Sequence, residues 1–314
     1  MSHEPASPRA PVRRIGLELE FAGLSEARAA RVFAEATGGS ARQVGEREWA
    51  CETGPFGTCR FFLDTAYDEE IVETGGKPAE KIMRQLVPVE LATDPFDPAD
   101  LPQFDQAVAQ LREAGAVGSR NGLLLGFGLH LNVDIASRET GYLAAVLTSY
   151  ALLEAWFRRA APIDISRRLM PFVAPYPDSF IDTLALLDPV DLEELTEFYL
   201  RQVPSRNFGL DLLPVLADSA PETVASAVEG KPVKPRPAFH FRLPDCRIDE
   251  PDWSVMEAYD QWTMVEAVAA DPDLMRRLRE TRVAWASRPG LTRRPWFDVV
   301  EDVLLQPDRQ AVLW

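Results

Sequence analysis

Two carboxylates two residues apart, Glu18 and Glu20, lie in the segment Ile15-Gly16-Leu17-Glu18-Leu19-Glu20-Phe21, whose apolar residues alternate with them. Side chains alternate along a strand, so a strand here carries both acids on one face. The same alternation recurs four times. It sets Arg60, Phe62 and Asp64 against Phe61 and Leu63, and Glu90 against Val87, Val89 and Leu91. It also sets His130, Asn132 and Asp134 against Leu129, Leu131, Val133 and Ile135, and His240 and Arg242 against Phe239, Phe241 and Leu243. An ordinary solvated face would carry Lys, Thr, Ser and Gln. This one offers Glu18, Glu20, Asp64, Glu90, His130, Asn132, His240 and Arg242. Four carboxylates on one surface raise one another's pKa unless cations sit among them. Acids with one or two imidazoles and no thiolate suit Mg²⁺ or Mn²⁺, and Mg²⁺ is commonly shared between carboxylates and phosphates. A nucleotide is the natural third component, yet no GxxxxGK[ST] loop and no GxGxxG after a strand is present. Its phosphates would rest on metals and arginines.

Helices must hold these strands in place. Ser25 predicts an N-cap for a helix to about Thr37, stopped by Gly38 and Gly39, and Leu101, Phe104, Val108 and Leu111 mark an amphipathic helix stopped by Gly115. Further helices are expected near 139–160, 190–201, 253–270, 272–286 and 296–305. The strands alternate and are not continuously apolar, which favours an antiparallel or mixed sheet over a buried parallel one. The fold class expected is therefore α+β, an open sheet platform with flanking helices. Two Pro-rich stretches, Pro162 to Pro177 and Pro221 to Pro237, read as linkers or as loops over a site.

The 314 residues suffice for a substantial core, with a hydrophobic fraction of 46% and a charged fraction of 26%. A net charge of −16 disfavours partners gripped through phosphate charge, so neither nucleic acid nor a membrane surface is expected. Three cysteines without CxxC spacing argue against a disulfide framework or thiolate zinc, and a cytoplasmic location is expected. Residues 1–12 read as a flexible tail without a signal-peptide core. Tyr142 to Phe157 is too short to span a membrane and contains Glu154. Trp262, Trp285, Trp296 and Trp314 pack either on the domain or on a second copy of the chain.

Four segments in order, Arg14 to Phe21, Val87 to Phe96, Phe127 to Val133 and Arg236 to Leu243, resemble the amidoligase family, which is related to glutamine synthetase and glutamate–cysteine ligase. The resemblance covers about 13 to 265. It implies a glutamine synthetase-like catalytic platform, mainly antiparallel sheet, over 13–270, with 271–314 as a helical extension packed on it. It implies ATP and Mg²⁺ or Mn²⁺, with Glu18, Glu20, Asp64 and Glu90 as metal ligands and His130 as the motif histidine. Arg242 is implied near the transferred phosphate. His240 stands where related ligases commonly have Glu, keeping a metal-binding atom but losing a negative charge. Arg206 and Asn207, in Ser205 to Pro214, are candidates for substrate or phosphate contact, and Asn132 and Asn207 for nucleotide. The implied reaction joins a small-molecule or peptide carboxylate to an amine through an acyl phosphate. A phosphotransferase on the same platform and a binding module with a degraded site are the alternatives.

Overall fold

Strands with one apolar edge and one polar edge must pack the apolar edge against helices, and that requirement organises the chain. The computed structural model describes residues 13–63, 88–119, 126–161, 163–164, 167, 173–189, 191–228, 233–290 and 293–305. Eight strands form one sheet: β1 (Ile15–Phe21), β2 (Ser40–Gly45), β3 (Glu48–Glu52), β4 (Thr58–Leu63), β5 (Val89–Ala92), β6 (Leu129–Asp134), β7 (Leu210–Asp211) and β8 (Ala238–Phe241). Their order is β2-β3-β4-β5-β1-β6-β8-β7, and every neighbouring pair is antiparallel. The acid-bearing β1 is thus central, flanked by the Glu90 strand and the His130 strand.

Among the described residues ten helices accompany the sheet: α1 (Glu26–Thr37), α2 (Leu101–Glu113), α3 (Thr140–Ala160), α4 (Asp178–Leu184), α5 (Leu192–Gln202), α6 (Leu213–Ser219), α7 (Pro221–Ala227), α8 (Met256–Ala269), α9 (Pro272–Ala286) and α10 (Trp296–Leu304). Helix α1 begins as expected, the Ser25 hydroxyl accepting the Arg28 N–H at 3.2 Å, and ends at Gly38 in the left-handed region, φ 70°. Its Phe33 meets Phe61 of β4 and Phe104 of α2, with ring centroids 5.6 Å apart in each case. At the other end of the sheet, Trp262 of α8 is wholly buried on Phe239 and Phe241 of β8. Burying one such side chain is worth roughly 1.5–3 kcal/mol, so the apolar face anchors the sheet.

Several expectations shift. The strand expected from Val87 runs Val89–Ala92, and Val87 lies outside the described residues. The stretch from Pro221 to Pro237 is not a loop throughout, because it opens as helix α7: Pro221 occupies the first turn, where its missing N–H costs nothing, and Val224 is buried. Residues 229–232 lie outside the described residues, as do 1–12 and 306–314, including Trp314. Strands β2, β3 and β7 and helices α4 and α6 had no counterpart in the sequence reading. Trp296 of α10 donates its indole N–H to the Leu152 carbonyl of α3 at 2.8 Å, so packing within the chain accounts for this tryptophan. Among the described residues no helix is long and apolar enough to cross a membrane.

Candidate active site

Strand register decides which polar residues meet. Glu18 of β1 stands opposite Ala92 of β5 on one side and His130 of β6 on the other, while Glu20 stands opposite Glu90. His240 of β8 faces Asn132 of β6 and Asp211 of β7. Residues directly opposite share a sheet face. Glu18, Glu20, Glu90, His130, Asn132, Asp211 and His240 therefore share one face, opposite to the aromatic core.

Glu18 is the hub. Its Oε2 accepts from His130 Nδ1 at 3.2 Å and lies 3.5 Å from His240 Nε2, and its Oε1 accepts from Asn132 Nδ2 at 2.9 Å. Arg236 Nη1 approaches the same Oε1 at 3.7 Å. The two imidazoles meet edge to face, 5.3 Å between centroids. Glu20 accepts the Gly128 N–H at 2.8 Å through Oε2, and its Oε1 is 4.0 Å from His130 Nε2. On the far side Asp211, fully buried, holds Oδ2 3.5 Å from His240 Nδ1 and 3.3 Å from Arg206 Nε.

Close packing around these groups explains one glycine. A Cβ at Gly128 would lie 2.7 Å from both His130 Nε2 and an Arg167 guanidinium nitrogen, so only glycine lets both side chains approach the strand. Arg167, 2% exposed, donates to the carbonyls of Arg242, Leu243 and Pro244 at 2.5, 2.7 and 2.6 Å and to Asp245 Oδ1 at 3.0 Å. It fixes the backbone that carries Arg242. Arg242 donates its backbone N–H to Gly209 at 2.8 Å and an Nη1–H to the Arg206 carbonyl, joining the last strand to the Arg206 loop.

Electrostatics follow from burial. Burial, reinforced by Arg242 and His240 but opposed by the Glu18 hydrogen bond, pushes His130 down to about 3, so its imidazole is neutral near pH 7. Burial alone would raise Glu18, but the hydrogen bond from His130 and the His240 imidazole 3.5 Å away outweigh it and hold Glu18 well below the usual carboxylate range. Burial lowers Arg242 from its ordinary value, with Asp211 and Glu20 opposing that shift. Glu20 and His130 are 8% and 6% exposed and His240 4%. Buried yet without a hydrogen-bond partner are Asn132 Oδ1, Arg236 Nε, Arg242 Nε and both ring nitrogens of His240. Buried polar atoms are ordinarily satisfied, so a concentration of unsatisfied donors and acceptors in one cluster fits a place for a polar guest. Glu18, His130 and His240 bring ligating atoms within 4.8 Å of one another, the spacing of a cation site.

Of the residues expected at the site, these contacts bring together Glu18, Glu20, His130, Asn132, His240, Arg206 and Arg242, and the register adds Glu90 beside Glu20. Asn207 is held by its backbone, its carbonyl accepting the Ala174 N–H at 2.7 Å. Asp64 lies outside the described residues. Asp211, Arg167 and Arg236 were missed as functional candidates. Arg236 could have been found, since it continues the alternation through Ala238, His240 and Arg242. Asp94 and Asp134 serve the backbone, accepting the Thr58 and Arg14 N–H groups at 2.9 and 3.1 Å. Cys51, Cys59 and Cys246 are buried free thiols whose pKa burial pushes up, as packing residues should be.

A family model described as "Putative amidoligase enzyme" matches residues 11–264. No curated protein matches the chain.

Proposed function

The chain belongs to the amidoligase family, and from that premise we propose that it is an ATP-dependent ligase joining a carboxylate to an amine, built on a glutamine synthetase-like platform. The observation that carries the proposal is the buried cluster of acids, imidazoles and arginines with several unsatisfied polar atoms on the sheet's polar face.

A carboxylate does not condense with an amine unaided, so it must first receive a leaving group. In the proposed first step a substrate carboxylate oxygen bonds to the γ-phosphorus of ATP, the bond from that phosphorus to the bridging oxygen breaks, and ADP leaves. In the second the amine nitrogen attacks the acyl carbon of the acyl phosphate, phosphate departs and a proton is lost. Charge on the phosphoryl group in flight must be met by fixed positive groups. Arg242, anchored by Gly209 and the Arg206 carbonyl and braced by Arg167, is assigned that role, with Arg206 beside it. His130 keeps Glu18 ionised and oriented through its hydrogen bond, and Asn132 does the same at the other oxygen. The donor set fits a divalent cation, Mg²⁺ or Mn²⁺: Glu18, Glu20, Glu90 and His240 would hold it, with Asp64 as a further ligand. Such an ion would offset the charge of the ATP phosphates. Asn132 and Asn207 are assigned to nucleotide contact.

Calorimetric titration of ATP with and without Mg²⁺ tests this reading without knowledge of either substrate. Metal-dependent ATP binding is expected, weakened at least tenfold by Glu18→Ala and by Arg242→Ala, with thermal unfolding used to check that each variant folds. No ATP binding under any metal condition would sink the ligase assignment. A stable phosphorylated product without an amide would turn it into a phosphotransferase.

A further inference from the structure

Strand β7 carries the fully buried Asp211, yet it is two residues long and lies at the sheet edge beside β8. So short a ladder gives little hold on a buried carboxylate. Two tyrosines supply the rest. The Tyr176 hydroxyl donates to the Leu210 carbonyl at 2.5 Å, and the Tyr199 hydroxyl accepts the Leu212 N–H at 3.3 Å, so the backbone is pinned on both sides of Asp211. The two hydroxyls are 3.4 Å apart. Asp211 in turn accepts the Leu213 N–H at 3.0 Å and lies 3.3 Å from Arg206 Nε. The loop that carries Arg206 rests on the same support, since the Asn207 carbonyl accepts the Ala174 N–H at 2.7 Å and Phe208 packs on Tyr176 with ring centroids 5.0 Å apart.

Helix α4 packs against these tyrosines. Its Phe180 meets Tyr176, Phe198 and Tyr199 with ring centroids 4.7, 5.4 and 6.2 Å apart. What grips α4 comes from α9. Arg282, with no exposed surface, donates from Nε to Asp182 at 2.6 Å and from Nη2 to Asp178 Oδ1 at 2.7 Å. Its guanidinium lies 4.5 and 5.1 Å from the ring centroids of Trp285 and Trp296. Arg279, on the same helix, donates from Nε to the Ala185 carbonyl at 2.8 Å and from Nη2 to the Leu187 carbonyl. Both ends of α4 are therefore tied to α9. Breaking a buried ion pair by removing one partner is strongly destabilising, so the docked position of α4 depends on Arg282.

We propose that Arg282 and Tyr176 are positioning residues of the active site: α9 holds α4, α4 holds Tyr176, and Tyr176 with Tyr199 holds the segment 206–212 that presents Arg206 and Asp211. Arg282 lies beyond residue 264, where the family model ends, so this support comes from a part of the chain that the family pattern does not contain. Every link is a packed contact or a hydrogen bond between neighbours, which makes the chain of dependence physical and open to dissection. Its consequence for ATP rests on the ligase reading, and its consequence for the 206–212 segment does not.

The experiment is native-state amide hydrogen exchange of the full chain, read by mass spectrometry, with Arg282→Gln and Tyr176→Phe beside the unaltered protein. Exchange reports local opening segment by segment. Arg282→Gln should speed exchange across 206–212 at least tenfold while leaving β1 and β6 unchanged, whereas a merely structural arginine would speed all three alike. Tyr176→Phe, which removes the hydroxyl and leaves α4 untouched, should speed exchange over the same segment. In the double variant the two effects should not add, because they act along one line. If Arg282→Gln fails to fold, Asp182→Asn takes its place. Calorimetric titration with ATP and Mg²⁺ should show affinity at least threefold weaker in each single variant. Unchanged exchange across 206–212, or unchanged ATP affinity in a chain that binds ATP, would overturn the positioning role. Faster exchange in the variants of a chain that binds no ATP at all would overturn the ligase reading instead, so the two failures are distinguishable.

Discussion

One face of one sheet carries charged side chains at both of its ends, yet the two ends behave as different materials. Across β1, β6, β8 and β7 the polar residues are enclosed or half-buried, and Glu20, His130, His240 and Asp211 are each less than a tenth exposed. Across β2, β3 and β4 the same alternation produces Arg42, Glu52 and Arg60, all open to solvent, with Arg42 and Glu52 only loosely paired at 3.5 Å. Exposed pairs are cheap to form and cheap to lose, while a buried charge is costly unless others answer it. Charge on an alternating strand is therefore no sign of function by itself. Charge that remains buried, with neighbours that do not fully satisfy it, is.

That contrast can be broken or sharpened experimentally. Asp211→Ala should leave His240 and part of Arg206 without their buried carboxylate, at a cost of about 3 kcal/mol in urea unfolding; a loss no larger than that of Arg42→Ala would erase the distinction between the two ends. Adding Mn²⁺ at a hundredfold excess over its Kd should stabilise the chain by about 2.7 kcal/mol, and the gain should vanish in Glu18→Ala. Acid provides a third test, with chelator present. His130 titrates at about 3 in the folded chain against an ordinary 6.5, so below 6.5 the unfolded state takes a proton that the folded state refuses. Stability should be full above pH 6.5 and fall towards pH 3 by up to about 1.4 kcal/mol per pH unit, a slope that His130→Gln should flatten. The depressed Glu18 carboxyl adds to the loss in the same direction, since its contribution is present above the ordinary carboxylate range and disappears on protonation. At the open end Arg42→Ala and Arg60→Ala should each change stability by less than about 0.5 kcal/mol.

Much of the enclosed end was legible because strict alternation is a strong signal: β1, β6 and β8 are read directly from their apolar partners, and with them Glu18, Glu20, His130 and His240. Strand β2, Ser-Ala-Arg-Gln-Val-Gly, lies at the sheet edge, and mostly exposed edge residues leave no apolar period to read. Strand β7 is two residues long, so no period could exist. Asp211 was overlooked for the same reason. Its importance comes from standing opposite His240 across a ladder, a long-range fact that no local window contains. The helix α7 was hidden by the habit of treating proline as a breaker, although at the first turn it is permissive.

The family likeness stops at residue 264, inside α8, which runs Met256–Ala269. The next residues are not spare: the Val265 carbonyl accepts the Ser149 hydroxyl at 2.7 Å, and Glu266 binds Arg13 at 2.5 Å where the chain enters the central strand. Beyond them α10 hangs its indole on the helix α3 carbonyl. Anyone transplanting this catalytic unit into another protein, or shuffling it with a relative, must therefore place the seam after about residue 305 and not at the edge of detectable kinship. A splice at 264 would cut a helix in mid-turn and strip the first strand of its counter-charge.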